Sequence, residues 1–259
     1  MTRLQISADL SYRLPAPCTI LVQVSAAATA EQRLDQAVIT VGPAPGQTII
    51  AAQDRIGTRL WTTQQQELTV SYAAQVTVDR ANPDLATLAA TNLPDLPGEA
   101  VPFLFSSPYC SAHAFDQLVT DEFADLAGGP LVAAMSDHVA RIMTYGLDSD
   151  NAHTNAEQSY AARKGVCRDY AHILIAMART ANIPARFVST YAPDVTPQDF
   201  HAVAEVFLDG RWHLVDPTGM AVASDMAVIG IGRDATDVSF LTGFGSMEMV
   251  TQRVQVSRA

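Results

Sequence analysis

Two apolar runs, 203–208 and 211–215, are separated only by Asp209-Gly210, and no other stretch restricts the fold of this chain so tightly. A two-residue loop of this kind closes a type I′ hairpin, because Asp tolerates and Gly favours the positive φ that the turn demands. Leu208 then lies opposite Arg211 and every further pair is fixed, so that Asp216, one residue past the second run, falls opposite Val203. Opposed residues share a face of the sheet, as do residues two apart along a strand. His201 is therefore on the face of Asp216, one diagonal step away. At roughly 7–8 Å between backbones, an imidazole and a carboxylate can meet. His213 lands on the opposite face.

Upstream, Gly165-Val166-Cys167-Arg168-Asp169 opens a helix. Gly165 breaks the preceding segment, and Tyr170, Ile173, Leu174, Met177 and Ala178 recur at helical spacing in a helix predicted over 167–181. A cysteine in that first turn sits at the positive end of the helix, which favours thiolate over a thiol whose free pKa is about 8.5. Its own N–H is left to face an oxyanion. Cys167 alone also fits a buried, inert cysteine, but with His201 and Asp216 it completes a set: thiol nucleophile, general base, and the acid that orients the base. The candidate site is thus Cys167, His201 and Asp216.

The remaining chemistry-bearing residues read as support or structure. Cys18 lies in a strand-like run and Cys110 near a Ser-rich bend. Lys164 and Arg168 flank the nucleophile and either help to stabilise thiolate or, as is favoured, simply solvate the helix terminus, and Asp169 suits the helix dipole. Glu205 shares the face of His201 and is a candidate to support it. His172, five residues past Cys167, is off its face and packs or caps. His113, His138 and His153 have no acidic partner at a telling spacing. Zinc on Cys167, His172, His201 and Asp216 lacks the paired C-x-x-C or H-x-x-x-H spacing, so no metal and no cofactor is expected.

Residues 1–80 read as β-structure. Leu4, Ile6, Ala8, Leu10 and Tyr12 alternate with polar positions, and apolar runs recur at 19–24, 37–41, 48–52, 59–62 and 68–78. Pro83, Pro94, Pro97 and Pro102 make 81–102 a linker. The rest, 103–259, is the expected core. Helical spacing covers 115–126 and 131–145, separated by Gly128-Gly129-Pro130. A polar loop over 147–155, a short helix over 156–162, and strands at 185–191, 202–208 and 211–215 complete it. The fold class is α+β: helices packed on an antiparallel sheet, preceded by a small all-β sandwich-like domain.

Charge and composition exclude some partners. The net charge is −11 and Lys164 is the only lysine, so the basic footprint of a nucleic-acid binder is missing. No apolar run approaches the ~18 residues of a membrane span, and the N-terminus does not read as a signal peptide. Three cysteines are too few for a disulfide framework. A cytoplasmic setting, where a thiol stays reduced, is expected.

The chain resembles the transglutaminase-like superfamily of papain-type thiol enzymes, in particular its bacterial members. The resembling blocks are Gly165-Val166-Cys167-Arg168-Asp169-Tyr170-Ala171-His172 and Ile183-Pro184-Ala185-Arg186-Phe187-Val188-Ser189. They continue in Asp199-Phe200-His201-Ala202, Glu205-Val206-Phe207-Leu208 and Trp212-His213-Leu214-Val215-Asp216-Pro217-Thr218, with Gly232-Arg233-Asp234-Ala235 near the C-terminus. The resemblance implies Cys167 as nucleophile, His201 as base and acid and Asp216 as orienter, and it matches the N-terminal β-region to an accessory domain. One departure stands out: many relatives have Trp after the His-Ala pair, where this chain has Val203.

The expected reaction is attack of Cys167 on the amide carbonyl of a peptide or protein substrate, giving a thioester. Water resolving it makes a peptidase or amidase; an amine resolving it makes a transglutaminase. Hydrolysis is favoured, because water needs no second, lysine-selecting site and the sequence displays none. A binding or scaffold protein with a retained core is the alternative from another class, and the expected triad argues against it.

Overall fold

The structure, a computed structural model, describes residues 1–146 and 153–259. In chain order the strands are β1 (Thr2–Arg13), β2 (Cys18–Val22), β3 (Gln32–Gly42), β4 (Thr48–Ala51), β5 (Thr58–Gln64) and β6 (Glu67–Val78). Then come α1 (Asp116–Phe123), α2 (Gly128–Ile142), β7 (Thr144–Tyr145), α3 (Ala156–Ala162), β8 (Lys164–Gly165) and α4 (Cys167–Thr180). The chain finishes with β9 (Ala185–Tyr191), β10 (His201–Leu208), β11 (Arg211–Val215), β12 (Ala227–Gly232), β13 (Leu241–Gly243) and β14 (Glu248–Arg258).

Alternation in the first 80 residues does what the period demands. In β1, Leu4, Ile6, Ala8, Leu10 and Tyr12 are buried while the residues between them are not. Two four-stranded sheets, in the orders β14-β1-β6-β3 and β13-β2-β5-β4, share one apolar core. The sandwich is not confined to residues 1–80, however. β14 pairs antiparallel with β1 and β13 with β2, so the last strands leave the 103–259 core and complete the first domain. The Val254 and Val256 alternation in β14 was too short to announce this. A strand needs a partner as well as a pattern, and that partner lies some 250 residues earlier in sequence.

The third sheet, β11-β10-β9-β12, carries the helices. α4 packs against β9, β10, α2 and α3, and every residue from Asp169 to Arg179 is buried. A helix buried on all sides sits inside a core, and its polar members Asp169, His172 and Arg179 are each hydrogen-bonded there. It stops at Asn182, whose φ of 58° bends the chain, while the Ile183 N–H caps Ala178 O at 2.9 Å and Pro184 prevents continuation. Arg179, only 2% exposed, donates to the carbonyls of Phe103, Cys110, Ala185 and Arg233 and to Ser107 Oγ. One guanidinium thereby fastens the incoming segment, the start of β9 and the loop after β12.

Residues 81–102 do not hang free between two bodies. Leu88 is buried in the helical core, the Gly129 N–H donates to Leu88 O, and Ala90 bridges Leu208 of β10. Added Cβ atoms on Gly128 or Gly129 would strike this segment's backbone at 2.6 and 1.8 Å, so the Gly128-Gly129-Pro130 run starts α2 instead of separating two helices. The sandwich and the core are fused too: Tyr191, Ala227 and Ile229 of the third sheet enter the sandwich core, and the Tyr191 hydroxyl donates to Val24 O at 2.7 Å.

Candidate active site

The hairpin has the register its turn requires. Leu208 faces Arg211 and Ala204 faces Val215, and Asp209 and Gly210 adopt φ of 50° and 73°. Asp216 leaves the end of β11 and its Oδ2 meets His201 Nε2 at 2.8 Å, with both side chains essentially unexposed. The remaining capacity of the carboxylate is filled: Oδ1 accepts from the Thr218 N–H (2.9 Å) and hydroxyl (2.7 Å), and Oδ2 from the Ala221 N–H (2.9 Å). Asp216-Pro217-Thr218-Gly219 is thus both a turn and a holder for one carboxylate.

Burial works against charge on both partners, and the pair overcomes it. His201 is pushed up to about 10 by its hydrogen bonds to Asp216 and Cys167, against the penalty of burial. Asp216 is held below the usual carboxylate range, against its own burial, by His201 and Thr218. Imidazolium and carboxylate therefore stand together across the neutral range. The second ring nitrogen, Nδ1, is buried with no hydrogen-bonded nitrogen or oxygen partner among the described residues. It is left for the sulfur.

Cys167 is the first residue of α4 and, unlike buried Cys18 and Cys110, is partly exposed. Burial pushes the Cys110 thiol up to about 12, consistent with an inert role. The turn that presents Cys167 is built around Asp169, 1% exposed. Its carboxylate accepts from the Val166 N–H (2.9 Å), Thr154 Oγ1 (3.0 Å), Ser159 Oγ (2.9 Å) and Arg168 Nη2 (3.0 Å). A Cβ on Gly165 would lie 2.6 Å from Asp169 Cβ, so glycine there permits the close approach.

Two expectations need correction. Glu205 does not support His201: it pairs with Arg186 at 2.6 Å, and that guanidinium lies 3.9 Å from the Trp212 ring centroid. His113 and His138 do have acidic partners. Asp116, three residues on, lies 3.8 Å from His113 Nδ1 on the surface, a pair the spacing could have shown. Glu122 reaches His138 at 3.2 Å from α1 across the helical layer, where sequence spacing cannot show it. His172 packs between Tyr109 and Phe187 and accepts the Ala235 N–H at 3.1 Å. His213 bonds Leu208 O, away from the site.

Sequence reasoning missed Tyr145, which it placed in a helix over 131–145. α2 ends at Ile142, and β7 then runs parallel to β8 with Tyr145 paired to Gly165. This puts the Tyr145 phenol within reach of both the backbone N–H and the thiol of Cys167. Burial first, then the nearby sulfur and Asp199, raise it above the ordinary phenol value. Of the expected polar loop 147–155, residues 147–152 lie outside the described residues; Asn155 caps α3. Among the described residues no helix is long and apolar enough to cross a membrane.

Cys167 and His201 open onto a cavity of about 720 Å³. One wall is the third sheet and the start of α4; the other is the 235–243 segment and Gln252 of β14. The sandwich domain borders the cleft, through strands from the far end of the chain.

Residues 119–217 match the sequence profile of the Transglutaminase-like superfamily. The crystal structure of a candidate cysteine protease from Cytophaga hutchinsonii is 30% identical, with a TM-score of 0.93 over 99% of this chain and 90% of that one. An uncharacterised protein of Mycobacterium tuberculosis strain H37Rv is 36% identical over 132 residues, 44% of this chain and 42% of that protein. One from Mycobacterium leprae is 30% identical over 113 residues, 40% of each chain. The matches thus span less than half the length of these mycobacterial relatives.

Proposed function

Because the chain belongs to the transglutaminase-like superfamily, we propose that it cleaves an amide or peptide bond through a thioester on Cys167. The observation that carries this reading is the buried His201–Asp216 pair at 2.8 Å, with His201 Nδ1 left facing a cysteine at a helix N-terminus.

With its proton already on His201 Nδ1, the Cys167 sulfur attacks the carbonyl carbon as thiolate, while the carbonyl π electrons move onto oxygen. The oxyanion is held by the Cys167 N–H and the Tyr145 hydroxyl, the two donors that meet beside the sulfur. The tetrahedral adduct collapses, the C–N bond breaks, and the His201 proton goes to the departing amine. Water then adds to the thioester, giving a proton to His201; the C–S bond breaks, and Cys167 leaves as it began. Asp216 touches neither substrate nor sulfur. It holds the ring in one orientation and stabilises the imidazolium.

The test is mass spectrometry of a mixed peptide library incubated with the protein, with and without a labelled primary amine, beside Cys167→Ala. Cysteine-dependent cleavage or deamidation is expected. Cysteine-dependent amine incorporation instead would make the protein a transglutaminase, and no Cys167-dependent change would count against catalysis.

A further inference from the structure

The charges facing the cleft do not balance locally. Arg168 is matched by Asp169 at 3.0 Å and His201 by Asp216 at 2.8 Å. His153 lies at the rim, its Nδ1 3.4 Å from the Tyr109 hydroxyl. Asp199, on the same wall, has no cationic partner among the described residues. Its Oδ1 accepts two hydrogen bonds, from the Phe200 N–H and from Gln252 Nε2, each 2.7 Å and each from a neutral donor. Oδ2 accepts none among the described residues. One oxygen is thus pinned by the chain itself and by a strand of the sandwich, which leaves the other to point where those two donors direct it.

The surroundings are apolar. Phe200 and Phe240 stack at 4.6 Å between centroids, and Phe187, Val238 and Leu241 line the same cavity. Burial pushes the Asp199 carboxyl up, the sign of a carboxylate partly stripped of water and not repaid by a counter-charge. Asp199 lines the same cavity as Tyr145, Cys167 and His201. A carboxylate wanted only to fix Phe200 and Gln252 would need no charge: an asparagine oxygen would accept the same two bonds. Charge, aromatic faces and an open oxygen beside a nucleophile fit one kind of ligand group, a cation.

We infer that Asp199 is a specificity-determining residue that binds an ammonium or guanidinium group of the substrate as its carbonyl is presented to Cys167. This deepens the reading of Cys167 as the nucleophile and rests on it. The substrates it selects are amides bearing a positive charge close to the reacting bond. Gln252 positions the carboxylate, so the sandwich domain contributes to selection without touching the sulfur.

The test reads charge preference at Cys167 without requiring turnover. The full-length protein is labelled with methanethiosulfonates of similar size, one carrying a trimethylammonium and one a sulfonate, and the Cys167 adduct is timed by mass spectrometry. Asp199→Asn keeps the Oδ1 acceptor and so the local fold. The cation-to-anion rate ratio should fall about tenfold in it and recover in Asp199→Glu. In a second arm n-butylammonium, and not 1-butanol, should protect Cys167 of the wild type from neutral methyl methanethiosulfonate, with protection lost in Asp199→Asn. Equal ratios in wild type and Asp199→Asn, or equal protection by amine and alcohol, would overturn the inference. Slow labelling of Cys167 by the neutral reagent would instead count against the nucleophile, while the ratio still reports on Asp199.

Discussion

His201 and His172 are both at most 1% exposed, yet their surroundings drive them to opposite charge states. His201 ends a diagonal across a hairpin, where a fully bonded carboxylate meets its Nε2, and it is pushed up to about 10. His172 lies five residues beyond Cys167 in α4, between the rings of Tyr109 and Phe187, and accepts a backbone N–H. Burial pushes it down to about 3. Asp234 favours its charged form but is committed to the Tyr109 N–H and to Thr236. Desolvation acts on both rings; what separates them is whether a carboxylate is aimed at a ring nitrogen. One site can hold and release a proton during a reaction, and the other ties the loop after β12 to the central helix.

The comparison breaks most completely at the sulfur. Cys167→Ala should abolish the covalent adduct and all turnover, measured by intact mass and by peptide cleavage, while leaving the His201–Asp216 pair and the surroundings of His172 in place. Asp216→Asn should make the two rings more alike. We expect turnover to fall about a thousandfold or more. The alkaline limb of the pH–rate profile should move from near pH 10 down toward about 6.5, the unperturbed imidazole value. A limb that stays in place would separate His201 from the proton transfer. Tyr145→Phe removes one oxyanion donor and should lower turnover about 10- to 100-fold, without moving that limb.

Smaller effects should appear in stability. His172→Phe keeps ring packing but deprives the Ala235 N–H of its acceptor, costing about 1–3 kcal/mol in denaturant unfolding near neutral pH with the rate profile unmoved. The two histidines also have opposite linkage. Because the folded value of His201 is raised, its stabilisation is complete below about pH 6.5 and is lost as pH rises toward 10. Because that of His172 is lowered, the neutral ring is tolerated above about pH 6.5, and stability is lost as pH falls from there toward 3. Melting temperatures of wild type and His172→Phe measured from pH 7 to 4 should therefore converge on acidification. Parallel curves would show that His172 does not titrate as its burial requires.

Much of the site was legible because it rests on short-range rules. The Asp209-Gly210 turn fixes register, register puts His201 and Asp216 on one face, and helical spacing after Gly165 puts Cys167 at a helix start. β9 and β11 fall at the residues where alternation and turn signals set them. Tyr145 escaped because its apolar neighbours continue the period of α2, and only pairing with β8 ends the helix before it. β14 escaped because an amphipathic strand reveals a face but not a partner.

By itself, then, the sequence determined the hairpin, the central helix, the alternation of the sandwich strands and the residues of the candidate triad, all of which depend on periods and turns within a few residues. The tertiary structure alone decided that the last strands return to the first domain, that Tyr145 and Asp199 face the cleft, and that one buried histidine is pushed toward its charged form and another toward its neutral form. These outcomes depend on which backbones come together and how much water they exclude, and neither desolvation nor the aim of a distant carboxylate is written in local spacing.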